Sequence, residues 1–111
     1  MDLAWHVGGT MTKRAKINIP ETFHLFGSEY EVVFRDDLSQ VEGLEGRHHY
    51  GLKKIELQSI DATHTRDSVE HAYFHELIHA ILCQMSDEKN NDETFIDIFA
   101  GLLHQALGGK S

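Results

Sequence analysis

The stretch "DSVEHAYFHELIHAILCQM", residues 67–85, determines how the rest of the chain is interpreted. Its apolar residues recur three and four positions apart, which is the spacing of one wide face of a helix. These residues are Val69, Tyr73, Phe74, Leu77, Ile78, Ile81 and Met85. Asp67 followed three residues later by Glu70 is typical of a capping box. We therefore predict a helix over residues 68–85.

The segments before this helix have the period of strands. "SEYEVVFR", residues 28–35, alternates apolar and polar side chains, and "YGLKKIELQ", residues 50–58, resumes that alternation. Weaker strands are expected in "AKINIP", residues 15–20, and in "ETFHLF", residues 21–26. Residues 36–49 contain two glycines and little periodicity, which predicts a loop.

A second helix is predicted beyond the polar segment "SDEKNND", residues 86–92. Asn90 is the expected N-cap, and Gly108 with Gly109 would end the helix. The expected buried side consists of Phe95, Ile98, Phe99, Leu102, Leu103 and Leu107. Because strands come first and helices follow, the predicted fold class is α+β, with helices on one face of a small antiparallel or mixed sheet.

The composition is that of one soluble domain. A chain of 111 residues with 41% apolar and 25% charged residues can bury one core but not two. We expect a single domain over residues 16–107, a flexible extension over residues 1–15 and a short tail over residues 108–111. Translation could start at Met1 or at Met11.

The charge and cysteine content exclude several classes of protein. A net charge of -8 disfavours binding to nucleic acid, and the basic residues near Lys13 are more typical of a solvated tail. The single cysteine, Cys83, cannot form an internal disulfide and is expected in the core. No apolar run reaches membrane-spanning length. A cytoplasmic protein with neither a nucleic-acid nor a membrane partner is predicted.

The predicted helix contains a His-Glu-x-x-His pattern with metal-binding spacing. His75 and His79 lie one turn apart on one face, so their imidazoles can converge on one zinc ion. Glu76 points about 100° round the helix, where a general base can reach a water beside the metal. The alternative is a pair of core histidines, which would be costly to bury without partners. We therefore predict a zinc site.

A catalytic zinc takes three protein ligands and keeps one position open. Glu93 and Asp97 lie one turn apart at the start of the second helix, and either could supply the third ligand. His71 lies about 12 Å from His79 along the helix axis, which is too far to share the ion. His71 is therefore expected at the rim of the site, and His104 is assigned a packing or transition-state role.

"HELIH" followed by "ETFID" on the next helix resembles the zinc site of gluzincin metallopeptidases. The order of elements over residues 16–107 is similar to that of minimal zincin-like proteins of the ImmA/IrrE group and of phage-encoded metallopeptidases. The resemblance implies one Zn²⁺ ion, with Glu93 as the third ligand and Asp97 orienting a ligand histidine. It further implies a peptide or protein substrate, such as a regulatory protein.

In the fold that the chain resembles, extended peptides add to the edge strand before the motif helix, which here would be residues 52–58. His48, His49 and Tyr50 precede that strand and are candidates for contacting the substrate or its oxyanion, as is His104.

The predicted function is a zinc metallopeptidase, a hydrolase with Glu76 as base. The alternatives are a non-enzymatic zinc-binding module that acts by protein–protein interaction, and a protein without metal. The intact Glu76 favours the enzyme.

Overall fold

The computed structural model describes residues 17–109. The predicted extension over residues 1–15, and with it the start of the predicted strand over residues 15–20, lies outside the described residues. Within them the fold is α+β, with a four-stranded mixed sheet and three α-helices. The predicted fold class is confirmed at that level.

The sheet consists of β1 (Thr22–Leu25), β2 (Ser28–Arg35), β3 (Gly46–His49) and β4 (Lys54–Gln58), in the order β1-β2-β4-β3. The pairs β1–β2 and β3–β4 are antiparallel, whereas β2 and β4 run parallel. β3 therefore forms the edge beside the helices, and the predicted edge strand over residues 52–58 is wrong because β4 lies between β2 and β3. Residues 17–20 form no strand.

Residues 36–49 are not the predicted loop. They form a short helix, α1 (Leu38–Glu42), followed by β3. α1 is fixed by Leu38, which is fully buried, and it ends at Gly43, whose positive φ of 71° suits glycine. β3 has the sequence "GRHH" and no apolar alternation of its own, so only its pairing with β4 defines it as a strand.

The predicted helices are present, but other residues cap them. α2 spans Arg66–Gln84 and begins after Thr65, whose hydroxyl accepts a hydrogen bond from the Ser68 N–H at 3.1 Å. The predicted box of Asp67 and Glu70 is therefore wrong. A 3-10 helix (Glu88–Asn91) leads into α3 (Glu93–Ala106), which is capped by Asp92 and not by Asn90.

The core lies between one face of the sheet and α2, with α3 packed on α2. Its buried members are Val32, Ile55, Leu57, Val69, Tyr73, Phe74, Ile78, Leu82, Ile96 and Ala100. None of the helices in residues 17–109 is long and apolar enough to cross a membrane.

The predicted buried side of α3 is largely wrong. Phe95 and Leu103 are half-buried against the core. Four others are exposed, namely Ile98, Phe99, Leu102 and Leu107, and α3 buries Ile96, Ala100 and His104 instead. Most positions of α3 after Thr94 are apolar, so the pattern does not distinguish the inner face from the outer one.

Candidate metal centre

Three side chains from α2 and α3 converge on one point. The rings of His75 and His79 lie one turn apart on α2, with centroids separated by 5.0 Å. Glu93, the first residue of α3, places Oε1 3.0 Å from His75 Nε2 and Oε2 3.1 Å from His79 Nε2. One ligand atom from each side chain lies within 4.8 Å of the others, as binding of a single ion requires. We call His75, His79 and Glu93 the open group.

The other ring nitrogen of each histidine has its own partner. His79 Nδ1 lies 2.8 Å from Asn90 Oδ1, and His75 Nδ1 lies 3.4 Å from Asp97 Oδ1. The same Asp97 oxygen is 3.3 Å from His71 Nε2. An Nδ1–H that donates to an outer oxygen leaves the Nε2 lone pair free for a metal. The donor set of the open group therefore fits zinc.

Asn90 was missed as a site residue because the sequence assigned it to the helix cap. The 3-10 helix Glu88–Asn91 turns its side chain back to α2. The only signal in the sequence was an amide side chain three residues before a candidate ligand, which is a common arrangement in any polar linker.

Glu76 lies on the side of α2 that faces β3. A Cβ atom at Gly46 would lie 3.0 Å from Glu76 Cγ, so a larger residue there would require the Glu76 side chain to shift. Burial raises the pKa of Glu76, while the charges of His75 and His79 oppose the rise. The backbone N–H of His48 on β3 also donates a hydrogen bond to the carboxylate.

A cavity of about 380 Å³ lies beside Glu76, between β3, α2 and α3. Its small lining residues are Gly46, Ser68 and Ala72. Its titratable lining residues are Glu45, His71, His75, Glu76 and Asp97. His71 lines this cavity beside His75, a member of the open group. The cavity adjoins both the candidate base and a candidate metal ligand, so a bound molecule would lie next to them.

The candidate substrate contacts on and after β3 lie in different surroundings. His49 Nε2 is 2.9 Å from Glu56 Oε1, and Tyr50 is 68% exposed. His48 pairs with the core residue Ile55 across the ladder, so its ring is on the helix side of the sheet, where burial lowers its pKa. His48 thus lies on the side of the sheet that faces Glu76, and the exposed Tyr50 ring packs edge-on against it, with 6.4 Å between the ring centroids.

His104 does not join the open group. Its ring is fully buried, and Nε2 lies 2.7 Å from Glu70 Oε1 and 3.6 Å from Asp67 Oδ1. A ring without exposed surface cannot touch a substrate, so the predicted substrate contact does not fit this position. Asp67, Glu70 and His104, which we call the closed group, also bring their ligand atoms within 4.8 Å of one another.

A charged cluster surrounds Glu56 on the other face of the sheet. His49 Nε2 and Arg47 Nη2 each lie 2.9 Å from Glu56 Oε1. The hydrogen bond with His49, together with that from Arg47, lowers the pKa of Glu56 to about 2. This cluster ties β3 to β4 and explains why His49 points away from Glu76.

Comparison of the chain with models of protein families, with curated proteins and with solved structures gives no match. The likeness to gluzincins therefore stays a resemblance of motifs. The function has to be argued from the side chains themselves.

Proposed function

We propose that this protein is a zinc-dependent metallopeptidase of minimal zincin-like architecture, with α2 as its active-site helix. The observation that carries the proposal is the convergence of His75, His79 and Glu93, with His79 Nδ1 hydrogen-bonded to Asn90 and an Asp97 oxygen 3.4 Å from His75 Nδ1. A pair of histidines that only served packing would not need Glu93 to reach both Nε2 atoms from another helix.

In the proposed site His75, His79 and Glu93 would hold one Zn²⁺ ion, which acts as a Lewis acid on water and on the substrate carbonyl when bound. Asp97 and Asn90 orient the two imidazoles from behind. These contacts fix the rings before any ligand arrives, which lowers the entropy cost of forming the site.

Glu76 is the proposed general base. Its carboxylate accepts the proton of the attacking water and delivers it to the amide nitrogen that leaves. The raised pKa suits this exchange, because a base with a pKa nearer to neutral both takes and returns a proton efficiently. An extended peptide would lie beside β3, the edge strand whose His48 N–H already bonds to Glu76.

The alternative is a zinc-binding module that acts through a protein partner. Its support is the exposure of the third ligand, since the Glu93 side chain is 67% exposed and a partner could cover it. Such a module has no use for a half-buried carboxylate beside the ligands, so Glu76 favours the enzyme.

The test combines zinc content with hydrolysis of a fluorogenic peptide library. We expect about one zinc per chain in the wild type and in Glu76→Gln, with hydrolysis reduced about 10²- to 10⁴-fold in the variant because the proton acceptor is lost. Glu29→Gln, an exposed carboxylate on β2, is the matched control and should behave as the wild type.

Two results would contradict the proposal. One is a folded wild-type protein that binds no zinc. The other is a zinc-loaded Glu76→Gln protein that hydrolyses the library as fast as the wild type, since any cleavage would then come from another site or a contaminant.

A further inference from the structure

The cavity beside Glu76 is walled by carboxylates and small residues. Glu45 and Asp97 stand at its rim, while Gly46, Ser68 and Ala72 leave room between β3 and α2. Its volume of about 380 Å³ exceeds that of any single side chain. A long side chain can therefore enter without displacement of the walls.

The basic residues of the described chain are all placed elsewhere. Arg35, Arg47 and Lys54 lie around Glu56 on the opposite face of the sheet. Lys53 lies over the Tyr30 ring and Lys89 over the Phe95 ring. Arg66 lines a separate small cavity. Within residues 17–109, no lysine or arginine lines the cavity beside Glu76, and the basic side chains in its lining are the imidazoles of His71 and His75, both of which lie beside Asp97. Glu45 has no such neighbour in the lining.

The cavity also has a defined position relative to the proposed chemistry. Glu76 and His75 form one end of its lining, and Ser68, two turns earlier on α2, forms the other. A peptide side chain that fills the cavity must therefore belong to a residue next to the bond that is cleaved.

We propose that this cavity is a specificity pocket for a lysine or arginine side chain of the peptide substrate, an inference that rests on the proposed peptidase function. The side chain enters between Gly46 and Ala72, and its cation lies between the Glu45 and Asp97 carboxylates. Charge-assisted hydrogen bonds of this kind are stronger than neutral ones and penalise a substrate that carries a carboxylate.

Glu45 is the residue whose replacement tests the charge of the pocket without disturbing the proposed metal ligands. Its side chain is exposed at the rim, and its backbone carbonyl accepts a hydrogen bond from the Gln58 N–H at 2.9 Å. Replacement of the side chain leaves that bond in place. Asp97, in contrast, also contacts His75, so its replacement would disturb the ligands.

The experiment uses pairs of peptides that are identical except at one position, which holds arginine in one peptide and citrulline in the other. That position is moved in turn to each site around the cleaved bond. The zinc-loaded wild type should cleave the arginine peptide with about tenfold higher kcat/KM at one position. Glu45→Gln should reduce that ratio to about threefold, the loss expected for one partly exposed charge pair. Glu29→Gln, which removes an exposed charge on β2, should leave the ratio unchanged.

Fluorescence anisotropy with zinc-loaded Glu76→Gln measures binding of the same peptides without turnover. Cleavage with equal kcat/KM for both peptides would contradict the proposed specificity pocket but not the proposed peptidase function. The arginine peptide could bind more tightly than the citrulline peptide, lose that advantage in Glu45→Gln, and yet not be cleaved by the wild type. That result would support the specificity pocket and contradict the peptidase function. No cleavage and no preference in binding would overturn both.

Discussion

The open group and the closed group each join α2 to α3, and both are built from histidine and carboxylate side chains. In the open group, His75 and His79 present Nε2 to a carboxylate that is 67% exposed. In the closed group, His104 and Glu70 are 0% and 2% exposed and lie 2.7 Å apart. Both groups satisfy the distances of a metal site.

The difference shows that distance between ligand atoms does not define a metal site. Each histidine of the open group has an outer partner at Nδ1, and a cavity adjoins it. The closed group differs in burial, because His104 and Glu70 form a hydrogen-bonded pair with almost no exposed surface. We therefore expect metal at the open group and stability from the closed one.

The largest effect is expected for Glu93→Gln. Loss of one of three charged or imidazole ligands should weaken zinc binding about 10²- to 10³-fold, a rough share of the total zinc-binding free energy. Unfolding of the metal-free protein should change little, because Glu93 is exposed. Competition with a zinc-sensitive dye measures the affinity.

Glu70→Gln is the matched substitution in the closed group, and it should affect the stability of the fold but not zinc binding. It should lower the free energy of unfolding by about 1–3 kcal/mol, since an amide replaces the carboxyl group that pairs with the buried His104 ring, and leave zinc affinity unchanged. A drop in zinc content in this variant, with Glu93→Gln unaffected, would reverse the assignment of the two groups.

A smaller effect is expected for Asn90→Ala. Without its amide oxygen the His79 ring is free to rotate, and zinc affinity should fall about tenfold. Asn91→Ala is the control, because it removes the same type of side chain at the next position, which is exposed. Equal affinities for the two variants would show that the contact with His79 has no part in metal binding.

The smallest effect concerns the histidine–carboxylate contact on the other face of the sheet. Because the pKa of folded Glu56 is about 2, below its ordinary value of 4.5, this contact stabilises the fold above pH 4.5. The contribution is lost as the pH falls from 4.5 towards 2.

Glu56→Gln should therefore flatten the fall of Tm between pH 5 and pH 2.5 by a few degrees at most. Thermal unfolding followed by circular dichroism checks this. If the two proteins lose Tm in parallel over that window, the acid sensitivity resides elsewhere.

The sequence predicted best where a side-chain period coincides with burial. β2 and β4 alternate and α2 has a wide apolar face, so each was predicted within a few residues. β3 and the inner face of α3 were missed because pairing with β4 and packing on α2 define them, and neither leaves a local pattern. The edge strand was misassigned for the same reason.

The candidate site divides in the same way. His75, Glu76 and His79 follow from spacing on one helix, and Glu93 with Asp97 from a resemblance of motifs. Asn90 and Gly46 depend on how the 3-10 helix and β3 approach α2, so no pattern in the sequence singles them out. For His104 the sequence left a packing role and a transition-state role open, and only the packing role fits its buried position beside Glu70.

Both ends of the described residues lie near the closed group. Ile17 lines a small cavity together with Glu70, and Gly109 packs against the His104 ring, where a Cβ atom would clash. Residues 17 and 109 therefore both lie near the start of α2, more than two turns from His79. In a chain of residues 17–109 a linker could join them, and new ends could be opened at the exposed turn of Phe26 and Gly27. The new ends of such a circular permutant would lie at β1, on the edge of the sheet opposite β3 and the cavity. A protein fused to either end would therefore lie away from the cavity.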